Sequence, residues 1–249
     1  CETSSQPAML WLPPSLALLT LTPHLAAPPL HVPRAGIDAR RYYTPWMGPH
    51  GLTVRSMEYS DIWPTAQLLL VAFAPPGGLN QLQNFLVGME HVIGLTMRMA
   101  DNILLVGTLP NGKLVGFVEV FTPEYLVSQS GSGYPERVRR ALEPYVASLA
   151  VDLSSRSTGV GRTLMWTAEQ RVREAGYTRI SLEVESTNQA ALGLYLKLGY
   201  SVLRRDQEAL KLVGDVFFGR SERVTKFWLQ KDLGETCADD AEFSTFDSI

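Results

Sequence analysis

A glycine-bearing loop between an apolar strand and an amphipathic helix constrains the fold of this chain more than any other segment. Residues 145–151 have the apolar pattern of a strand, and Gly159 and Gly161 lie in the loop that follows. The apolar face of the next segment predicts a helix over 159–175, which Gly176 ends. Unpaired N–H groups and the positive dipole end at such a helix start bind pyrophosphate without needing a lysine. A strand-to-helix turn with a glycine N-cap explains the same residues, so the loop alone leaves both interpretations open.

Strand and helix patterns on either side of this loop predict one mixed α/β domain over residues 51–232. Strands are predicted at 52–57, 103–108, 114–121, 145–151, 180–185, 200–203 and 224–230. Helices are predicted from Asp61 to Phe73 and at 80–100, 159–175 and 188–198. Asn111-Gly112 indicates the turn of a hairpin. A loop over 122–136 and a short helix ending at Leu142 are predicted before the glycine-loop strand.

Residues 1–50 differ in composition from the predicted domain. They are rich in Pro, Ala, Leu, Ser and Thr, and they contain two acids, Glu2 and Asp38. Prolines interrupt every candidate helix, so no packed domain is expected there. An acid-poor, hydroxyl-bearing segment with arginines predicts an organelle transit peptide, and hence a plastid (chloroplast) stroma location. The alternatives are a secretory signal within Met9–Leu21, or a low-complexity tail without a targeting signal in a cytoplasmic or other organellar protein.

The charge balance and the rare residue types exclude several classes of function. A formal net charge of −3 gives no footprint for nucleic acid or anionic membrane, and Met9–Leu21 is too short to span a bilayer. Cys1 and Cys237 form no disulfide framework, which favours a reducing compartment. The four histidines lack metal-ligand spacing, so no metal is expected. Residues 233–249 hold five acids and no Lys or Arg, and no fixed structure is predicted for them.

A second motif follows the predicted helix. It comprises Leu182-Glu183-Val184, Asn188, Ala191, Leu194-Tyr195 and Gly199-Tyr200. Together with the loop Arg156-Ser157-Thr158-Gly159-Val160-Gly161, it resembles the Q/R-x-x-G-x-G/A loop and the L-E-V…N-x-x-A…L-Y-x-x-x-G-[FY] run of the GNAT acetyltransferase superfamily. The chain is similar in particular to bacterial ribosomal-protein alanine N-acetyltransferases and to plant plastid GNAT lysine and N-terminal acetyltransferases. This resemblance implies an α/β (α+β) GNAT fold, with a central mixed, mostly antiparallel sheet splayed at the acetyl-CoA site and helices on both faces.

The resemblance also implies roles for individual residues. Acetyl-CoA would be the cosubstrate, without a metal. Tyr195 would be the general acid that protonates the departing CoA thiolate, and Glu183 occupies the general-base position of the ribosomal-protein type. Such residue types suit the chemistry, because an amine must lose a proton before it attacks a thioester and a carboxylate can accept that proton. The implied cofactor-binding residues are Leu149, Ala150, Val151, Arg156, Ser157, Thr158, Gly159, Val160, Gly161, Arg162, Asn188 and Tyr195.

Each role has a structural alternative. Alternation places Glu183 on the polar face of its strand, where it could be only a surface residue. Tyr195 lies in an apolar helix and could belong to the core, and Arg156 could be an exposed loop cation. Ser157 and Thr158 stand where many relatives carry a basic pair, which shifts the expected phosphate contacts onto backbone amides.

The expected activity is direct acetyl transfer from acetyl-CoA to protein or peptide amines, either N-terminal α-amino groups or lysine ε-amino groups. The alternatives are a small-molecule amine N-acetyltransferase, for arylalkylamines or polyamines, and a non-catalytic acetyl-CoA-binding interaction module. Acceptor choice is expected to depend on the loops 76–80 and 122–136 and on the segment 205–222. The sequence does not fix an oligomeric state, and a monomer is the default expectation.

Overall fold

The computed structural model describes residues 46–48, 51–74, 78, 80–128, 143–213 and 220–234. The predictions for residues 1–45 and 235–249, and the short helix predicted to end at Leu142, lie outside these residues. Within them, one eight-stranded sheet has the order β1-β2-β3-β4-β5-β6-β8-β7. The strands are β1 Trp46–Met47, β2 Thr53–Ser56, β3 Ile103–Thr108, β4 Leu114–Phe121, β5 Tyr145–Val151, β6 Arg179–Glu185, β7 Ser201–Val213 and β8 Arg220–Asp232.

Five α-helices accompany this sheet in the described part of the chain. They are α1 Ile62–Ala72, α2 Gln81–Arg98, α3 Pro123–Ser128, α4 Val160–Glu174 and α5 Gln189–Lys197. β5 and β6 pair in parallel, whereas the other strand pairs are antiparallel. The expected mixed, mostly antiparallel sheet is therefore confirmed.

The helices form a layer on each face of the sheet, because the inner strands are apolar on both sides. In β3, Ile103 and Leu105 pack in a core cluster with Leu164 of α4. Leu104 of the same strand packs in a second cluster with Leu69 of α1. Successive side chains of a strand point to opposite faces, so one continuous apolar strand serves two cores. This confirms the expected helices on both faces.

Three segments differ from the sequence-based expectations. β1 lies before residue 51, where the domain was expected to begin, and it extends the sheet edge by pairing with β2. Helix α3 replaces the first part of the loop predicted over 122–136. The Thr122 hydroxyl caps the start of this helix, because it accepts a hydrogen bond from the Tyr125 N–H at 3.2 Å.

The last two strands are longer than the predicted 200–203 and 224–230. β7 continues to Val213, and its register with β8 extends to the pair Val213↔Arg220. Most side chains of residues 201–209 are exposed, and charged residues interrupt the apolar alternation there, so the sequence shows no period-2 pattern.

None of the described helices has both the length and the apolar character needed to cross a membrane. Among the described residues, no group of three or more His, Cys, Asp or Glu side chains is arranged to hold a metal ion.

Candidate active site

A gap between β5 and β6 opens the middle of the sheet. These strands pair at Tyr145↔Ser181 and Val146↔Leu182 and, within the described residues, nowhere else. β5 nevertheless continues to Val151, and β6 continues to Glu185. The backbone groups along this stretch therefore lack a partner strand across the gap. An extended ligand can take their hydrogen bonds, as an added strand would.

A β-bulge in β5 lies where the gap begins. On the β4 side, Glu119 pairs with Ser148 whereas Val120 pairs with Val146, so Ala147 is an extra residue at this step. A bulge bends and twists its strand. The bulge is thus a local cause for the departure of β5 from β6.

The start of α4 offers free backbone amides beside the gap. Ser157 and Gly159 have positive φ angles of 64° and 92°, which turn the loop sharply into the helix. The Thr163 N–H bonds the Gly159 carbonyl at 3.0 Å, so the amides of residues 160–162 precede the first hydrogen bond of the helix. With the positive end of the helix dipole, these amides form an anion site.

Asp152 shapes this loop, and its part was not recognised from the sequence. Its carboxylate accepts hydrogen bonds from the Ser154 hydroxyl and, at 2.9 Å, from the Ser154 N–H. The bond from the Ser154 hydroxyl lowers the pKa of Asp152, and the Lys113 ammonium lies 3.3 Å from the carboxylate. Asp152 thereby caps the 3-10 turn at Leu153–Ser155 that leads to the glycines. An Asp two residues before a Ser at the end of a strand was the available signal.

Gly161 brings the anion site, the gap and α5 together. A β-carbon at Gly161 would lie 3.4 Å from the Leu194 Cδ2 atom and 3.6 Å from the Val151 Cγ2 atom. The first turn of α4 therefore packs directly against the end of β5 and against α5. Because Tyr195 follows Leu194, the predicted acid lies on the helix that borders the anion site.

Tyr195 is a buried residue of α5, with 7% of its surface exposed. It belongs to the core cluster on the α4 side of the sheet. Burial raises the pKa of Tyr195 to about 12, because desolvation disfavours the phenolate. The hydroxyl thus keeps its proton at neutral pH and is able to act as a proton donor.

Glu183 lies on the other face of β6. Ile180, Leu182 and Val184 are buried in the cluster that contains Tyr195, so alternation turns Glu183 away from it. The Glu183 side chain is 7% exposed, and its Oε2 atom lies 3.8 Å from the Lys226 ammonium. The carboxylate therefore has a neighbouring positive charge. The two candidate catalytic residues approach the gap from opposite faces of the sheet.

Two further predicted residues have structural hydrogen bonds. The Asn188 side chain accepts a bond from the Ala191 N–H at 3.1 Å and so caps α5. The Thr158 hydroxyl donates to the Ser155 carbonyl at 2.7 Å and so fixes the loop. These contacts assign local folding roles to both side chains and leave the loop amides available as anion donors.

Arg156 lies at a separate concavity beside the loop. This cavity of about 270 Å³ is bounded by α1 and by the end of β5, with Leu68 and Val151 in its wall. The Arg156 Nε atom lies 3.4 Å from the Val151 carbonyl oxygen, to which it donates. Glu183 and Tyr195 are not in the cavity wall. The cavity therefore adjoins the anion site rather than the candidate acid and base.

Comparison with known proteins points to one family. Residues 84–200 match the model of the Acetyltransferase (GNAT) family. The match begins in α2 and ends at Tyr200, so it includes the gap, the anion site, Glu183 and Tyr195. A search of curated proteins gives no match.

Solved structures share the fold at low sequence identity. The ribosomal-protein-S18-alanine N-acetyltransferase from Escherichia coli is 17% identical with a TM-score of 0.52, over 77% of this chain and 99% of that chain. An N-acetyltransferase from Staphylococcus aureus Mu50 is 15% identical with a TM-score of 0.54, over 74% and 99%. A GNAT superfamily phosphinothricin acetyltransferase from Sinorhizobium meliloti, in complex with AcCoA, is 13% identical with a TM-score of 0.53, over 75% and 91%.

Proposed function

Because residues 84–200 of this chain match the Acetyltransferase (GNAT) family, we propose that it transfers an acetyl group from acetyl-CoA directly to amino groups of proteins. The observation that carries the proposal is the gap between β5 and β6, with Glu183 on one face of the sheet and Tyr195 on the other. An amine that enters from the Glu183 face meets a base, and a thiolate that leaves toward α5 meets an acid.

The residues around the gap suit an extended donor that ends in a pyrophosphate. Leu149, Ala150 and Val151 provide strand backbone along the gap, and residues 157–162 provide the anion site. Acetyl-CoA supplies the activated thioester carbonyl when it is bound. Because Ser157 and Thr158 are uncharged, the amides of the loop and the dipole of α4 carry most of the attraction for phosphate.

Glu183 and Tyr195 divide the proton transfers between them. Glu183, directly or through a water molecule, accepts the proton that the attacking ammonium group must lose. Tyr195 returns a proton to the sulfur as the C–S bond breaks. The chain needs no covalent intermediate, because the nucleophile is the acceptor amine itself. Strand N–H groups beside the thioester carbonyl suit the negative charge that develops on its oxygen.

Two observations support a protein amine as the acceptor. Glu183 occupies the general-base position that the resemblance to the ribosomal-protein type implies, and the E. coli enzyme of shared fold is named for the alanine of a ribosomal protein. The phosphinothricin acetyltransferase shares the fold equally well, so a small-molecule amine is the alternative that the test must separate.

Mass spectrometry of a mixed peptide library, incubated with the protein and acetyl-CoA, tests the proposal. We expect acetylated peptides, with the α-amino and ε-amino products distinguished by fragmentation. The Tyr195→Phe variant, incubated in parallel, controls for chemical acetylation. An unmodified library, together with acetylation of arylalkylamines or polyamines in a second assay, would replace the protein acceptor by a small molecule. No product in either assay would overturn the enzymatic function.

A further inference from the structure

The C-terminal cap of α5 joins Tyr195 to Tyr200. Gly199 has a φ angle of 87°, and its N–H bonds the Leu196 carbonyl at 3.1 Å. The Tyr200 N–H bonds the Tyr195 carbonyl at 3.0 Å, which completes a Schellman motif. The side chains at the positions of Tyr195 and Tyr200 commonly touch in a Schellman motif. Here the centroids of the two rings lie 5.8 Å apart.

A buried ion pair lies beside the Tyr200 ring. Glu169 of α4 is 1% exposed, and its Oε2 atom lies 2.5 Å from the Lys231 ammonium of β8. The same ammonium lies 5.7 Å from the centroid of the Tyr200 ring, within cation–π range. Elements from three parts of the chain therefore meet at one aromatic ring.

The Tyr200 hydroxyl and the Glu169 carboxylate are buried beside each other. Neither the Tyr200 hydroxyl oxygen nor the Glu169 Oε1 atom is exposed to solvent. Burial, followed by the negative charge of Glu169 and the interaction of its carboxylate with the hydroxyl, raises the pKa of Tyr200 well above its ordinary value. The ion pair therefore contacts Tyr200 at its hydroxyl through Glu169 and at its ring through Lys231.

We propose that Tyr200 is a positioning residue for the acid Tyr195, and that the Lys231–Glu169 pair holds Tyr200 in place. The inference rests on the proposed function, because it assigns Tyr200 a purpose only if Tyr195 donates a proton. Tyr195 needs such support because no described residue holds its hydroxyl by a hydrogen bond. The contact between the rings and the Schellman motif thus set the direction in which the phenol points.

Pairs of variants in two backgrounds test this role. Tyr200→Leu removes the aromatic ring, whereas Tyr200→Phe keeps it. Tyr177→Leu is the control, because it removes the ring of a half-buried tyrosine that forms no part of the Tyr195–Tyr200 ring contact or the Glu169–Lys231 pair. In the wild-type background, we expect Tyr200→Leu to lower kcat by about tenfold to a hundredfold, the scale of a misplaced catalytic group. Its acetyl-CoA Kd should stay within about twofold of wild type, and Tyr200→Phe should recover most of the rate.

The second background contains Tyr195→Phe. If Tyr200 acts through the Tyr195 hydroxyl, adding Tyr200→Leu there lowers kcat no further, because coupled residues are not additive. The same fractional loss in both backgrounds, or a loss matched by Tyr177→Leu, would overturn the inference. A fully active Tyr195→Phe enzyme would instead contradict the acid role in the proposed function, so the two failures are distinguishable.

A second set of variants serves if Tyr200→Leu does not fold. Lys231→Met leaves Glu169 buried without its ion-pair partner, whereas Lys231→Met with Glu169→Gln leaves no net buried charge. We expect kcat to fall in the single variant, with acetyl-CoA Kd preserved, and to recover in the double variant. Equal kcat in wild type and the single variant would overturn the role of the pair.

Discussion

At the scale of single residues, the burial of Tyr195 has opposite effects on how well the phenol retains its proton and how readily it donates that proton. Burial raises its pKa to about 12, which keeps the proton in place but makes the phenol a weaker acid. Transfer to a free thiolate, with a pKa of about 8.5, is then unfavourable. The same burial disfavours a charged thiolate and so raises the pKa of the departing thiol, which narrows the difference between donor and acceptor.

The first prediction concerns the pH dependence of Tyr195. A raised pKa extends the protonated form to higher pH, so this residue remains a donor until about pH 12. We expect kcat/KM to show no loss from Tyr195 as the pH passes 10, the ordinary value for tyrosine. Steady-state rates measured up to pH 10.5 check this. A one-proton decline centred near pH 10 that disappears in Tyr195→Phe would contradict it.

The second prediction concerns the base. Glu183→Gln should lower kcat at neutral pH by about 10²- to 10⁴-fold, the usual contribution of a general base. Part of the rate should return as rising pH deprotonates the acceptor amine without help. Glu185→Gln is the matched control, because Glu185 lies two residues further along the same face of β6. A pH–rate profile of Glu183→Gln that matches wild type would exclude Glu183 as the base.

At the scale of elements, the anion site depends on how closely α4 lies on the sheet. Gly116 of β4 provides this approach: a β-carbon there would lie 2.6 Å from the Leu164 Cδ1 atom and 2.9 Å from the Val160 Cγ1 atom. Val160 is the first residue of α4. The absence of a side chain in the middle of β4 thus sets the height of the helix start whose amides form the site.

The third prediction follows from this contact. Gly116→Ala should destabilise the fold by about 1–3 kcal/mol, the usual cost of overpacking a core. It should also weaken acetyl-CoA binding, because the added methyl group displaces the start of α4. Gly88→Ala, a helical glycine with open space around it, is the control and should leave binding unchanged. Urea unfolding and calorimetric titration give both quantities. Unchanged affinity in Gly116→Ala would refute the link between packing and binding.

At the scale of the whole molecule, the donor site draws on distant parts of the chain. The strands that border the gap belong to one sheet, and the helix that forms the anion site and the helix that carries Tyr195 pack on the same face of it. A ligand that bridges them stabilises the folded chain, because the unfolded chain offers no such site.

The fourth prediction is that acetyl-CoA raises the thermal midpoint. At one hundred times Kd, the ligand adds about 2.7 kcal/mol to the free energy of unfolding. Pantetheine, which has no pyrophosphate, is the matched ligand control and should give a much smaller shift at the same concentration. Scanning calorimetry measures both. A midpoint unchanged by saturating acetyl-CoA would contradict every role assigned to the gap.

Regular local patterns made much of this architecture predictable. The strands at 103–108, 114–121 and 145–151 have their expected bounds, because their apolar runs end at clear turn signals. Gly159 and Gly161 likewise indicated the start of α4. The full length of β7 was not predicted, because the mostly exposed residues 201–209 include charged side chains that break the apolar alternation.

Parts of the candidate site depend on contacts that sequence spacing does not reveal. The Glu169–Lys231 pair joins residues 62 positions apart, and neither residue belongs to a recognisable motif. The contact between Tyr195 and Tyr200 is different, since Gly199 marks the helix cap that produces it. The position of Gly199 as the C-terminal cap of α5 would have predicted the contact between Tyr195 and Tyr200, which the Leu-Tyr and Gly-Tyr motifs alone did not indicate.

The gap between β5 and β6 also has a consequence for aggregation. Strands that stop pairing inside a sheet present two edges with unsatisfied hydrogen-bonding groups, and such edges attract segments of other chains. The bulge at Ala147 bends and twists β5 where its pairing with β6 ends. The gap therefore adds inner edges to the outer edges at β1 and β7, and a ligand bound in the gap blocks them against pairing with other chains.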